Sequence, residues 1–120
     1  TIAGFSSRGP STFDGKIGPH LTAPGVNIRS SVPGGGFSGS FWSGTSMAGP
    51  HVVGAVALLW SADPTLVGDI AATKQILLAT ATPTTSTQTC GGIPGSATPN
   101  NTFGHGRLNA FEAVKSRIGR

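Results

Sequence analysis

Apolar residues are spread unevenly along this chain, and their spacing divides it into two kinds of segment. From Thr1 to Trp42 they occur in short clusters separated by Gly and Pro, the pattern of extended pieces and turns. Ile2 to Phe5 predicts a short strand, broken by Ser6-Ser7-Arg8-Gly9-Pro10. Residues 11–19 are polar and punctuated by Gly and Pro, hence loop, with Asp14-Gly15 as a turn pair. Asn27 to Val32 and Phe37 to Trp42 predict the two arms of a hairpin, with Pro33-Gly34-Gly35-Gly36 at its tip.

The most continuous apolar run, Val52 to Trp60, sets the small residues Gly54, Ala55 and Ala57 between large ones and has no charge on any face, so it predicts a helix buried all round. The stretch before it predicts a loop turning into that helix. Thr45 is the expected N-cap, and Pro50 falls close enough to the start that its missing N–H costs little. Asp63-Pro64 then breaks the chain. Asp69 to Ala81 predicts a second helix with Ile70, Ile76, Leu77 and Leu78 on its apolar face, and Phe111 to Ile118 a terminal one. Between them, residues 82–103 are dominated by Thr, Ser, Pro, Gly and Asn and predict a long surface loop. No internal repeat or boundary divides residues 1–120.

Composition narrows the chemistry. A chain of 120 residues suffices for one small domain, and with only 10% charged residues and 19 glycines it favours tight turns over ion pairs. The formal net charge of +4 is scattered. Its nearest approach to a cluster is Lys115, Arg117 and Arg120 at the end of the terminal helix, where cations complement the dipole, so no nucleic-acid partner is expected. No apolar run approaches the roughly 20 residues that cross a bilayer, and no membrane partner is expected. The N-terminus lacks a basic leader and an initiating Met and opens as if in mid-strand, which suggests a piece of a longer chain. Asp14, Asp63, Asp69 and Glu112 show no oxygen-ligand spacing, so no metal or other cofactor is expected. The single cysteine, Cys90, is either a buried thiol or half of a bridge to a partner outside the segment. Asn100-Asn101-Thr102 is a formal glycosylation sequon and equally a turn.

The candidate chemistry lies in Ser43-Gly44-Thr45-Ser46-Met47-Ala48-Gly49-Pro50-His51-Val52. Ser46 falls on the first helical turn, where the dipole and unpaired amides favour negative charge, a suitable place for a serine whose attack creates an oxyanion. Gly44 to Ala48, resuming at Pro50-His51, resembles the G-T-S-M-A…P-H nucleophile motif of subtilisin-like serine proteases, the subtilases. Phe5-Ser6-Ser7-Arg8-Gly9-Pro10 is similar to another element of that family. So is His20-Leu21-Thr22-Ala23-Pro24-Gly25, although subtilases often carry an acidic residue where this chain has His20. Phe103 to Ala110 resembles the family's closing turn, Y/F-G-x-G-x-[IVL]-[ND].

The resemblance covers nearly all of the chain and corresponds to roughly the last third of a subtilase catalytic domain. It implies an α/β fold, the last part of a subtilisin-like parallel-sheet fold, with short strands and a hairpin before a buried central helix, then two further helices. It also implies a polypeptide substrate, attack by Ser46 with an acyl-enzyme, Gly44 and Thr45 at the substrate, no catalytic metal, and a secreted, extracellular enzyme. Trp42, four residues before Ser46, either walls the leaving-group side of a substrate groove or simply packs in the core or at the rim.

A serine hydroxyl requires a base within about 2.6–3.2 Å and a carboxylate to orient that base. Asp14 and His20 precede Ser46 but lie in neither of the family's Asp and His motifs. His51 stands about 140° round the helix and about 7.5 Å along it from Ser46, and His105 belongs to the closing turn. The resemblance therefore implies that the catalytic Asp and His, the family's asparagine oxyanion donor and the specificity pocket belong to an upstream part of the same protease domain. Two alternatives are an esterase or amidase, which gains nothing from a G-x-S-x-G elbow because Ala48 occupies the second Gly position, and a non-catalytic, self-associating fragment with an exposed sheet edge.

Overall fold

The computed structural model describes residues 1–118; Arg120 of the basic cluster lies outside them. Among the described residues, three α-helices, α1 (Thr45–Ala62), α2 (Ile70–Thr80) and α3 (Ala110–Ile118), and a 3-10 turn at Pro64–Leu66 pack on one another.

Helix α1 starts seven residues before the apolar run and contains Pro50. Gly44, in extended backbone, is its N-cap, and no side chain caps it; Thr45, expected in that role, is already helical. Glycine is tolerated at an N-cap because it leaves the first amides open rather than blocking them. The expected burial all round is corrected as well. Ala55 and Leu59 are buried, whereas Val53 is 70% and Leu58 57% exposed. Composition is apolar on every face, but only one face has a partner.

That partnered face forms the core, Ala55, Leu59, Leu66, Leu77 and Ala113, ringed by half-buried Val52, Val56, Trp60 and Ile76. Leu59, fully enclosed, contributes about 1.5–3 kcal/mol by burial. The Trp60 Nε1–H donates to Thr73 Oγ1 at 2.9 Å, tying α1 to α2 without an orphaned indole. Asp69 caps α2, its Oδ1 accepting from the Ala72 amide at 3.0 Å. Of the apolar face expected on α2, Leu77 is buried, Ile76 and Leu78 half-buried, and Ile70, at the helix start, 67% exposed. Asn109 Oδ1 accepts from Glu112 N at the start of α3. Asp63, at the end of α1, is reached by Arg117 of α3 at 2.6 Å.

The expected strands are present only as isolated bridges. Ile2–Phe5 pairs with nothing among the described residues, and the hairpin keeps two antiparallel bridges, Ile28 to Trp42 and Ser31 to Phe37. Two residues separate the bridges on one arm and four on the other. The longer arm therefore bulges, and no continuous ladder can form. Parallel pairing is a single bridge, Thr22 to Arg107, and Arg107 also pairs antiparallel with Thr82. A strand requires a neighbour to supply its hydrogen bonds in unbroken succession, and here the backbone bonds between the hairpin arms, Ile28 with Trp42 and Ser38 with Ser30, are interrupted by the bulge.

Residues 82–103, expected as surface loop, include the most enclosed polar groups of the molecule: Asn100, Asn101 and Thr102 are 0–1% exposed. Asn100 Nδ2 donates to the carbonyls of Ala97 and Thr84 at 2.9 and 3.0 Å, and its Oδ1 accepts from the amides of Phe103 and Thr102 at 2.8 and 3.0 Å. Asn101 accepts from Gly18 N and donates to the Cys90 carbonyl. Two amide side chains thus replace the sheet that would otherwise satisfy this backbone. Between the two readings of the sequon, the turn holds in the folded chain, since Asn100 is wholly enclosed. Cys90 is a free, half-buried thiol donating to Gly9 O.

Candidate active site

Ser46 is the second residue of α1 and is exposed. Its amide has no helical acceptor at that position: the carbonyl four residues back, that of Trp42, already accepts from Ile28 N at 2.8 Å. Pro50, four residues on, has no N–H to give, so the Ser46 carbonyl also lacks its helical donor. Ser46 therefore presents a hydroxyl and an outward amide at the positive end of an 18-residue helix. No carboxylate stands in the first turn to neutralise that end.

The turn is held from outside. Gly44 N donates to Gly25 O at 2.7 Å, and a Cβ on Gly25 would sit 2.7 Å from the Gly44 carbonyl. Only glycine admits that approach, which packs the Ala23-Pro24-Gly25 turn directly on the start of α1. The far side of the same turn is fixed through Thr22, whose amide donates to Gly106 O at 2.9 Å, while Leu108 N donates to Thr22 O at 2.7 Å. Gly106 holds this closing turn at φ 126, with the Thr82 carbonyl where a side chain would start. Three of the four stretches singled out by resemblance, 20–25, 43–52 and 103–110, thus meet in space.

A groove of about 680 Å³ runs beside the helix start. It is lined on one side by Gly44, Thr45, Ala48 and Val52 and on the other by Ile2, Ala3, Leu21 and Phe103. On the helix circle Ser46 stands about 110° from that lining face. It shares its own face with Pro50, Val53 and Ala57, all exposed and uncharged.

Trp42 is 51% exposed, flanked by Phe41 at 64%. The histidines are dispersed. His51 Nδ1 bonds the Met47 carbonyl at 2.9 Å, one turn back on its own helix. His20 Nε2 lies 3.0 Å from Lys74 Nζ, and the His105 backbone bonds the His20 carbonyl. Asp14 is occupied in its own turn, where Ser11 first and Lys16 second hold its carboxyl below the ordinary value. Among the described residues, no histidine or carboxylate forms a hydrogen bond with Ser46. What sequence reasoning missed is the burial of Asn100 and Asn101; two adjacent enclosed asparagines in a Gly/Pro/Ser/Thr-rich stretch carry no periodic signal.

The model of the subtilase family, Peptidase S8, matches residues 1–106. The chain belongs to the subtilase family. It is 49% identical over 115 residues to Bacillopeptidase F of Bacillus subtilis, covering 96% of this chain and 7% of that protein. Identity to the minor extracellular protease Vpr of the same organism is 35% over 121 residues, covering 96% of this chain and 14% of the relative. Among solved structures, the CspB protease of Clostridium perfringens superposes with a TM-score of 0.71 at 34% identity, over 99% of this chain and 24% of that one. The chain thus spans a small part of each relative's length, and the fold it shares with them is an α/β subtilase fragment.

Proposed function

We propose that this chain is the C-terminal, serine-bearing portion of a subtilisin-like serine endopeptidase, with Ser46 as the nucleophile that forms the acyl-enzyme. The observation that carries the reading is the exposed Ser46 at the unneutralised start of α1, with its amide free to donate to an oxyanion. Gly44 and Thr45, at the helix end of the groove, contact substrate, and the exposed Trp42 walls the leaving-group side. The base, its orienting carboxylate and the second oxyanion donor come from the preceding part of the same domain. The uncharged α1 face of Ser46, Pro50, Val53 and Ala57 is where that part packs, because an apolar face contiguous with a nucleophile both needs cover and keeps water from the reacting centre. The substrate is a polypeptide. The enzyme works outside the cell; the relative Vpr is by name an extracellular protease.

In the full-length polypeptide, Ser46→Ala abolishes peptide hydrolysis and leaves the far-ultraviolet circular dichroism unchanged. Retention of more than a few per cent of the activity overturns the assignment. Ester hydrolysis lost together with peptide hydrolysis places both at one serine; ester hydrolysis surviving in Ser46→Ala points to another.

A further inference from the structure

Three consecutive residues before the nucleophile turn are each tied to the opposite arm of the hairpin. Trp42 exchanges both backbone hydrogen bonds with Ile28, at 2.8 and 2.9 Å, and Gly44 N donates to Gly25 O at 2.7 Å. Between them, Ser43 Oγ accepts from the amide of Asn27 at 2.9 Å. Asn27 takes a left-handed backbone, φ 55, which asparagine tolerates better than most side chains. Of the three ties, the middle one runs through a side chain and can be removed without disturbing the backbone.

From this arrangement we infer that Ser43 is a positioning residue for Ser46, an inference that rests on the function proposed above. An α-helix usually holds its first turn with its own capping side chain, worth about 1 kcal/mol. No side chain caps α1, and Thr45 spends no hydroxyl on it. The first turn is held instead by the strap of residues 42–44, so the direction of the Ser46 amide and hydroxyl depends on that strap. Asn27 and Ser43 are both exposed, so water satisfies either group once the bond is lost. The cost falls on geometry rather than on stability. A reacting group displaced by a fraction of an ångström loses rate steeply.

The test uses the full-length polypeptide carrying Ser43→Ala, Ser43→Thr or, as a control on the same arm, Ser40→Ala. Each variant is assayed for peptide hydrolysis and for the rate of acylation by a fluorophosphonate, with thermal unfolding alongside. Ser43→Ala lowers kcat and the acylation rate about 5- to 30-fold, with KM within about twofold and the melting midpoint within about 3 °C. Ser43→Thr, which keeps the oxygen, recovers most of the rate, and Ser40→Ala matches the parent. A Ser43→Ala enzyme with unaltered kcat, a Thr variant as impaired as the Ala one, or a loss of rate that only follows loss of folded protein overturns the role of Ser43. A parent protein that the probe does not label overturns the functional reading beneath it.

Discussion

Removing the side chain of Asn100 strips the irregular half of this molecule of an enclosed amide that four backbone groups depend on. The residue is wholly enclosed; its Oδ1 serves two amides, Phe103 at 2.8 Å and Thr102 at 3.0 Å, and its Nδ2 serves the carbonyls of Ala97 and Thr84. Asn100→Ala leaves two enclosed amides without acceptors, each costing about 1–3 kcal/mol, so about 2–6 kcal/mol together. That is a large share of the roughly 5–15 kcal/mol by which domains are stable. Asn100→Asp separates the two halves of the network, because it keeps the acceptor and replaces the donor with an oxygen facing two carbonyls. Burial and those carbonyls push its carboxyl above the ordinary range, since only the protonated form can donate, and they act against the two amides that favour the charged form. A raised folded-state pKa means the variant is most stable at acid pH and loses stability as pH rises through that pKa. Urea unfolding followed by circular dichroism across pH measures both effects. A loss below about 1 kcal/mol in Asn100→Ala, or an Asp variant whose stability does not fall with rising pH, refutes the reasoning.

Further expectations follow from neighbouring features. Thr102 Oγ1 is enclosed with no partner among the described groups, so the isosteric Thr102→Val leaves stability unchanged or raises it by up to about 2 kcal/mol in the same assay. Asp63 is held below its ordinary value of 3.8 by the Thr65 hydroxyl first and by Arg117 second. This depressed pKa contributes stability that is present above 3.8 and lost as pH falls below it. Thermal midpoints taken from about pH 5 to about pH 2 should show that fall blunted in Thr65→Ala and, to a lesser degree, in Arg117→Ala. The isolated chain, with Val53 and Leu58 of α1 both uncovered, self-associates and does not cut unactivated peptides efficiently. Light scattering behind size-exclusion chromatography, run beside a peptide-cleavage assay, checks both; a monomer with enzyme-like turnover contradicts them.

Helices were legible in the sequence because their signals are local. Asp63-Pro64 breaks the chain where expected, Asp69 caps α2, and Asn109 does the same service for α3. The start of α1 was misplaced because Thr45 has the chemistry of a cap, whereas the hydrogen bond that fixes this turn, Gly44 to Gly25, joins residues far apart in the chain. Burial of α1 was misjudged for a related reason: an uncharged helix surface states that a partner is needed, not that one is present. Extended segments were overread as strands, since alternation marks a residue pattern and pairing depends on what lies alongside. The turn at Asn100–Asn101 was legible and its enclosure was not, because asparagine among Gly, Pro, Ser and Thr reads as exposed turn whether or not its side chain replaces a sheet. Of the candidate site, the motif around Ser46 was legible as chemistry, and its meeting with residues 20–25 and 103–110 required coordinates.

The central claim, that Ser46 is an activated nucleophile in the complete enzyme, is tested most directly by mass spectrometry after fluorophosphonate treatment. Full-length protein should gain one phosphonyl adduct, and peptide mapping should place it on the segment Ser43–His51 at Ser46, with none in Ser46→Ala. An unmodified parent protein, or an adduct on any other residue, contradicts the account.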